Sequence, residues 1–410
     1  MERLRSACSA HVWLQGPFWR GLALGGAMML GWPFATFIES VKVSLRRAKE
    51  GRSPFLKSFG TLYAAALTRN IPPYDGAIYE AVLGLRATEL ADVLLPIDLP
   101  ALQRLSMRRG AELEDVQDKA RFEEICRTRG LACVPTLAVF SGGTSKGEES
   151  LRTFAAPLFV KALSGNRGVG AALWRPGGRG FVSSGGEDCG VDDLIQLLRL
   201  QNCIVQPLLE DHADLKALGT VALSNVRIVT VKGASIRSTP IAAAMSLAVE
   251  PGSLTGHEGI HCGIDLETGT ITKTLESVDE DARLGERNPV GITLPHWNEC
   301  IRLVKQAHDE AFPAFVALGW DVALTDARPV LLESNANWGM LGHQRLTAPL
   351  GTTPLANVID ELLEPAPADR YSASRRWTRA ARSPEPVPQE DPGSAAAKDR
   401  KRRLPAKKAL

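Results

Sequence analysis

The sequence predicts an α+β fold of two mixed subdomains, led by a helical extension and trailed by a disordered tail. Three observations carry that prediction. Residues 318–344, LGWDVALTDARPVLLESNANWGMLGHQ, read as two short strands joined by a turn. Residues 157–175, PLFVKALSGNRGVGAALWR, read as two more strands joined by a glycine-rich loop. Helical patterning fills much of residues 54–129 and returns at 297–311. A chain of 410 residues can bury a large core, and its 44% hydrophobic and 23% charged content is that of an ordinary globular protein.

In chain order, residues 1–52 stand apart. Gly21 to Ile38, GLALGGAMMLGWPFATFI, is apolar except for Thr36 and is interrupted by Pro33. Eighteen residues is the lower edge for a membrane span, and Lys42, Arg46, Arg47, Lys49 and Arg52 follow it. If the segment spans, that basic flank keeps the downstream body in the cytoplasm, on the inner face of the membrane. No small-x-small cleavage site marks a signal peptide. The bland alternative is a helix that docks on the body or lies in the bilayer surface. Membrane contact through residues 21–38, of either kind, is favoured over a wholly soluble helix.

Residues 53–114 are expected to form a helical lead-in. PFLKSFGTLYAAALTRN is helical up to Ile71-Pro72-Pro73, and DGAIYEAVLGLRATELADVLL continues at helical period. Tyr74 and Tyr79 read as packing residues. A helix from Asp118 to Arg129 leads through Gly130 into a strand around Val134. In the helix at 297–311, Ile301, Val304 and Ala311 mark a buried stripe, and His308 reads as structural. Residues 115–364 form the main domain. Beyond Pro365 the composition cannot bury enough apolar area to order itself, so 365–410 is expected to be disordered.

That tail also distorts the net charge of +2, because residues 366–410 hold 12 Lys/Arg against 5 Asp/Glu. The remainder is acidic, which argues against a nucleic-acid partner. The seven cysteines are odd in number and show no C-x-x-C, as expected of reduced thiols in a cytosolic compartment.

The first strand of the 318–344 hairpin carries Asp321, and the second carries Glu333 and Asn335. Side chains alternate along a strand, so Glu333 and Asn335 share a face. A turn centred near Ala327 puts Asp321 opposite Glu333 on that face. Two carboxylates and an amide oxygen there suit a hard cation, Mg²⁺ or Mn²⁺. Alone, the pattern is better read as a solvated hairpin with its acids facing water. In the 157–175 hairpin, Lys161 interrupts an apolar strand, and Gly165, Gly168 and Gly170 leave backbone N–H groups open to phosphate oxygens. Alone, this too is only a turn, and it is no P-loop because strand leads to strand. The two motifs together, about 150 residues apart, are far rarer than either.

Together they resemble the ATP-grasp superfamily, and within it the sugar-transfer-associated group. The likeness spans roughly residues 115–350 and also includes DKARFEEICRTRGLACVPT (118–136), IVQPLLEDHADL (204–215), LSNVRIVTVKG (223–233) and DLETGTI (265–271). It implies two α+β subdomains clamping ATP. It further implies that Lys119 and Lys161 contact the phosphates, that the 164–170 loop with Gly165, Gly168 and Gly170 folds over them, and that Gln206 and Leu208 border the adenine. Either His212 or Asp214 reaches the ribose. Arg227 faces the transferred phosphoryl group, making Arg227 and Lys161 the catalytic pair, and Asp321, Glu333 and Asn335 hold Mg²⁺ or Mn²⁺. The implied activity is ATP-dependent carboxylate–amine ligation through an acylphosphate. The implied substrates are a small carboxylate and an amine, sugar-linked, in cell-surface or exported polysaccharide biosynthesis. A small-molecule kinase at the same site, or a non-catalytic nucleotide-binding membrane adaptor, are the alternatives. Many relatives continue E-x-N-x-x-P-G, whereas here Trp338 replaces the proline beside the expected acceptor pocket.

His257-Glu258-Gly259-Ile260-His261 matches H-E-x-x-H by letter, but a zinc protease needs both histidines on one helical face. Glycines at 256, 259 and 263 disfavour that helix, each costing about 1 kcal/mol against alanine, so a loop between strands is expected.

Overall fold

The computed structural model describes residues 1, 4–5, 18–163, 171–249, 259–275 and 288–363, with side chains of the first helix described from residue 31 onward. The glycine-rich loop at 164–170, His257, Glu258 and the tail at 364–410 lie outside the described residues.

A helical layer comes first. Helix α1 (Phe18–Lys49) packs against α2 (Phe55–Arg69) and α3 (Pro73–Leu83). Asn70 closes α2 in the left-handed conformation, with φ at 52°, ahead of the Ile71-Pro72-Pro73 break. The helical pattern read through residue 95 is interrupted. Gly84 takes a left-handed φ of 71° and ends α3, and only short 3₁₀ turns follow at Ala87–Asp92 and Pro96–Asp98. Tyr79 is buried as expected, but Tyr74 is 53% exposed and packs little. Helix α4 (Leu99–Arg108) then enters the main body. Among the described residues no helix is long and apolar enough to cross a membrane.

Two antiparallel sheets form the body. The first contains β1 (Ala138–Ser141), β2 (Thr144–Lys146), β3 (Leu158–Ala162), β4 (Ala172–Pro176), β5 (Phe181–Ser183), β6 (Asp188–Cys189) and β7 (Cys203–Pro207), in the order β2-β1-β7-β3-β4-β5-β6. Its apolar face, with Phe140, Val160, Trp174 and Val205, packs on helix Val191–Arg199 through Leu194, Ile195 and Leu198. The second contains β8 (Asn225–Val231), β9 (Thr239–Leu247), β10 (Ile260–Ile264), β11 (Ile271–Leu275), β12 (Ala317–Leu324) and β13 (Pro329–Asn335), in the order β11-β10-β9-β8-β12-β13. One of its core clusters includes Trp320, Phe312, Phe315 and Phe122, and another includes Trp338, Val229 and Leu355. This mixed architecture of two sheets with helices agrees with the α+β class read from the sequence.

Helix Lys119–Thr128 matches the expected helix to within a residue at each end, but no strand forms around Val134. Pro135 removes a ladder donor there, and the segment makes only a bridge between Cys133 and Leu331 before β1 begins at Ala138. The helix at 297–311 ends its regular part at Gln306, and a π turn (Ala307–Ala311) follows. Val304 is buried, whereas Ile301 and Ala311 are only half-buried. The stripe is completed instead by Trp297, Cys300, Leu303 and Ala307. His261 lies in strand β10, an extended conformation that cannot supply the helical zinc motif.

Candidate functional site

Asp118 caps helix Lys119–Thr128 by accepting from the backbone N–H groups of Ala120 and Arg121 at 2.8 and 2.9 Å. The cap fixes the first turn, and from it the Lys119 ammonium lies 3.8 Å from a Glu333 carboxylate oxygen. Glu333 sits on β13, at the edge of the second sheet. Lys161, next to the end of β3, reaches the same place from the first sheet. Burial depresses its pKa to about 8, and the nearby charges of Glu333, Lys119 and Asp321 act on it as well. Burial alone would push the Glu333 carboxyl up. Lys161, Lys119, the Asn335 amide and Arg227 together outweigh burial and hold it below the usual carboxylate range. Two cations from different elements therefore share one carboxylate.

The ladder of the second sheet sets the remaining geometry. Arg227 on β8 pairs with Asp321 on β12, and Asp321 pairs with Glu333 on β13. The three side chains form one row across three strands. Asp321 is 4% exposed, and Arg227 clasps it at both carboxylate oxygens, Nε at 2.6 Å and a terminal nitrogen at 2.5 Å. The Asp321 charge raises the Arg227 pKa further. Asn335, two residues beyond Glu333 on the same face, donates to it from Nδ2 at 3.2 Å. A β-bulge separates Asp321/Glu333 from Val322/Leu331 and leaves Leu332 without a partner across the ladder.

The other predicted residues fall elsewhere or are not described. Gln206 is 4% exposed on β7, opposite Phe159 of β3. The Leu208 N–H donates to the Pro157 carbonyl at 2.9 Å, which continues the sheet. His212 is a helix cap, since its Nδ1 accepts from the Asp214 N–H at 3.1 Å and its ring packs against His296. Its backbone is tied to Leu324, at the turn end of the β12–β13 hairpin, while the Asp214 side chain is 66% exposed. Trp338 is fully buried over Gly319 and beside His343, so it acts through packing.

Sequence reasoning missed one side chain near this row. His343, on helix Met340–Leu346, is 3% exposed and its Nδ1 has no hydrogen-bond partner. Burial drives its pKa down to about 3, and the charges of Arg227 and His261 add to that effect. His261 in turn meets the Ser246 hydroxyl at 2.8 Å. No local pattern flagged His343, because its placement depends on a helix crossing strands β9 to β11.

A profile of the sugar-transfer associated ATP-grasp family matches residues 104–357. The chain belongs to this family. No curated protein matches it significantly in sequence. Among solved structures, N5-carboxyaminoimidazole ribonucleotide synthetase in complex with ADP aligns at 14% identity over 66% of this chain and 63% of that one, with a TM-score of 0.36. The alignment thus spans less than two-thirds of that chain. D-alanine–D-alanine ligase from Helicobacter pylori aligns at 12% identity over 60% and 61%, with a TM-score of 0.36. The same enzyme from Bacillus anthracis aligns at 16% identity over 64% and 68%, with a TM-score of 0.32. Family membership rests on the sequence profile alone.

The family implies a divalent cation, and the donor set fits one. Glu333 and Asn335 place hard oxygen donors on one strand face, and Mg²⁺ is commonly held by one or two carboxylates with substrate phosphates completing its shell. Both Asp321 oxygens are occupied by Arg227, so Asp321 would join only after that guanidinium turned aside.

Proposed function

We propose that the protein is an ATP-dependent carboxylate–amine ligase acting on small, sugar-linked substrates, with a role in polysaccharide biosynthesis. The observation that carries this reading is the convergence of Lys119 and Lys161, from two separate elements, on Glu333 beside Asn335 and the Arg227–Asp321 pair. In this reading Lys119 and Lys161 bind the phosphates of ATP, Glu333 and Asn335 hold Mg²⁺, and Arg227 faces the phosphoryl group in transit. Held by Glu333 and Asn335, Mg²⁺ would supply neutralisation of phosphate charge. The chain's own contribution is preorganised positive charge in a half-buried site, where it is worth more than in water.

In the first step a substrate carboxylate oxygen attacks the γ-phosphorus and ADP leaves, giving an acylphosphate. In the second an amine nitrogen attacks the acyl carbon, phosphate leaves and the amine loses a proton. Arg227 is positioned by Asp321 in both steps, since the two-point clasp fixes its plane.

The test is ADP release measured against sugar acids and amino acids supplied in pairs. Turnover is expected only when both partners and Mg²⁺ are present, and Glu333→Ala is expected to lower kcat roughly 10²–10³-fold. ADP released with the carboxylate alone, plus a stable phosphorylated product, would make the protein a kinase. Undiminished turnover in Glu333→Ala would remove the metal assignment.

A further inference from the structure

Helix α1 is built inside out for a helix in water. Its buried side presents Thr36, Ser40 and Ser44, each 1% exposed or less, and α2 meets it with Ser58 at 3%. The Ser40, Ser44 and Ser58 hydroxyls have no hydrogen-bond partner. The opposite side presents Phe34 at 68% exposure, Ile38 at 37% and Leu45 at 48%, spaced i, i+4 and i+11 on one helical stripe. Phe37 extends this patch toward α2, stacking edge-on to Phe59 and Tyr63 at 5.4 and 5.6 Å. Leu56 at 79% and Leu67 at 45% widen it. Small hydroxyl residues between helices and large apolar ones outside form the pattern of helices packed in lipid, where close approach matters more than hiding hydrocarbon.

Charge decides the occupant. Lys42, Arg46 and Lys49 are exposed along one flank of the stripe, and Arg52 and Lys57 are exposed at the α1–α2 turn. Among exposed acids in residues 31–69 only Glu50 opposes them, and it is already paired with Arg46 and Arg52. Two copies of this face would bring like charges together. An anionic bilayer surface meets both halves, taking the apolar side chains below its headgroups and the cations at them. We infer that the α1–α2 face, residues 34–67, is a peripheral docking surface for anionic lipid, lying on the membrane rather than crossing it. The inference does not depend on the nucleotide site and stands or falls separately.

The full-length chain is floated with vesicles of phosphatidylcholine alone and of phosphatidylcholine with phosphatidylglycerol at 7:3. Flotation is expected with the anionic vesicles and is expected to weaken with salt. Phe34→Ser/Ile38→Ser/Leu45→Ser should reduce the bound fraction about tenfold without lowering the melting temperature, because all three side chains are exposed. Lys42→Gln/Arg46→Gln/Lys49→Gln should weaken the preference for anionic vesicles, and an unchanged preference would overturn the assignment of these cations to the lipid surface. A second measurement covers any loss of folding: Phe34→Trp should gain emission that brominated lipid quenches. The proposal is overturned if the wild type does not float, or if the triple serine variant floats equally well, as binding through the basic tail alone would have it. It is overturned too if the added tryptophan escapes quenching, or if the wild type is a dimer that the serine substitutions dissociate.

Discussion

Phe315 offers His308 a carbonyl oxygen at 3.0 Å, and a carbonyl can only accept, so Nε2 of that imidazole carries the proton. Its Nδ1 must then accept from the Thr230 hydroxyl at 2.7 Å, and Thr230 in turn accepts from the Trp320 indole at 2.7 Å. Every member of this buried chain is satisfied only while His308 is neutral. Burial drives its pKa from 6.5 down to about 4. The unfolded chain therefore binds the proton more readily across that interval, and stability must fall as pH drops from 6.5 toward 4, then level off. The full drop is on the order of 3 kcal/mol. His343 shifts in the same direction, so the effects add. In urea titrations at pH 7 and pH 5, His308→Gln should lower stability at pH 7 and shrink the difference between the two. An unchanged difference would mean that His308 is not the group being titrated.

Strand β12 meets Trp338 only because residue 319 has no side chain. A Cβ added to Gly319 would lie 2.6 Å from the Trp338 Cβ, well inside contact distance. Gly319→Val is expected to cost roughly 1–3 kcal/mol or more by overpacking, read as a lower melting temperature with nucleotide absent. A variant as stable as the wild type would show that the tryptophan can move. Elements held by short-range signals were legible in the sequence. Leu158–Ala162 forms the expected strand, Asp118 caps the expected helix, and the Pro72-Pro73 pair marks the break after Asn70. At Gly84 and Pro135 the backbone constraint of one residue overrides the surrounding helical or apolar periodicity, and there the expected elements are absent. The Asp321–Glu333 pairing was legible because a hairpin is local. The clasp between Arg227 and Asp321 links residues 94 positions apart, and only the family likeness pointed to Arg227. His343 gave no signal, because nothing near it in sequence reveals which strands its helix will cross.

Across the molecule, the extreme N-terminus is pinned to the helical lead-in. Arg5 is 5% exposed and holds Asp98 through Nε at 2.9 Å and a terminal nitrogen at 2.8 Å, and it also donates to the Val93 carbonyl at 2.6 Å. Asp98 also accepts from the Leu95 N–H, and Gln344 ties Leu94 to the helix that carries His343. Arg5→Met would strand a buried carboxylate, at an expected cost of roughly 3–5 kcal/mol. Chemical denaturation measures it, and a loss under about 1 kcal/mol would show the tether to be loose. The surplus Leu332 has a similarly wide reach. It lets one strand send Leu331 into the core and Glu333 toward the lysines, although strict alternation would point both the same way. Deleting that single codon would leave Leu331 and Glu333 adjacent, opposite Val322 and Asp321 in an unbroken ribbon, so the acid should keep its place and nucleotide binding in calorimetry should survive. The strand is thus one residue longer than its row requires, and the kink is how the fold absorbs the excess without turning the acid away.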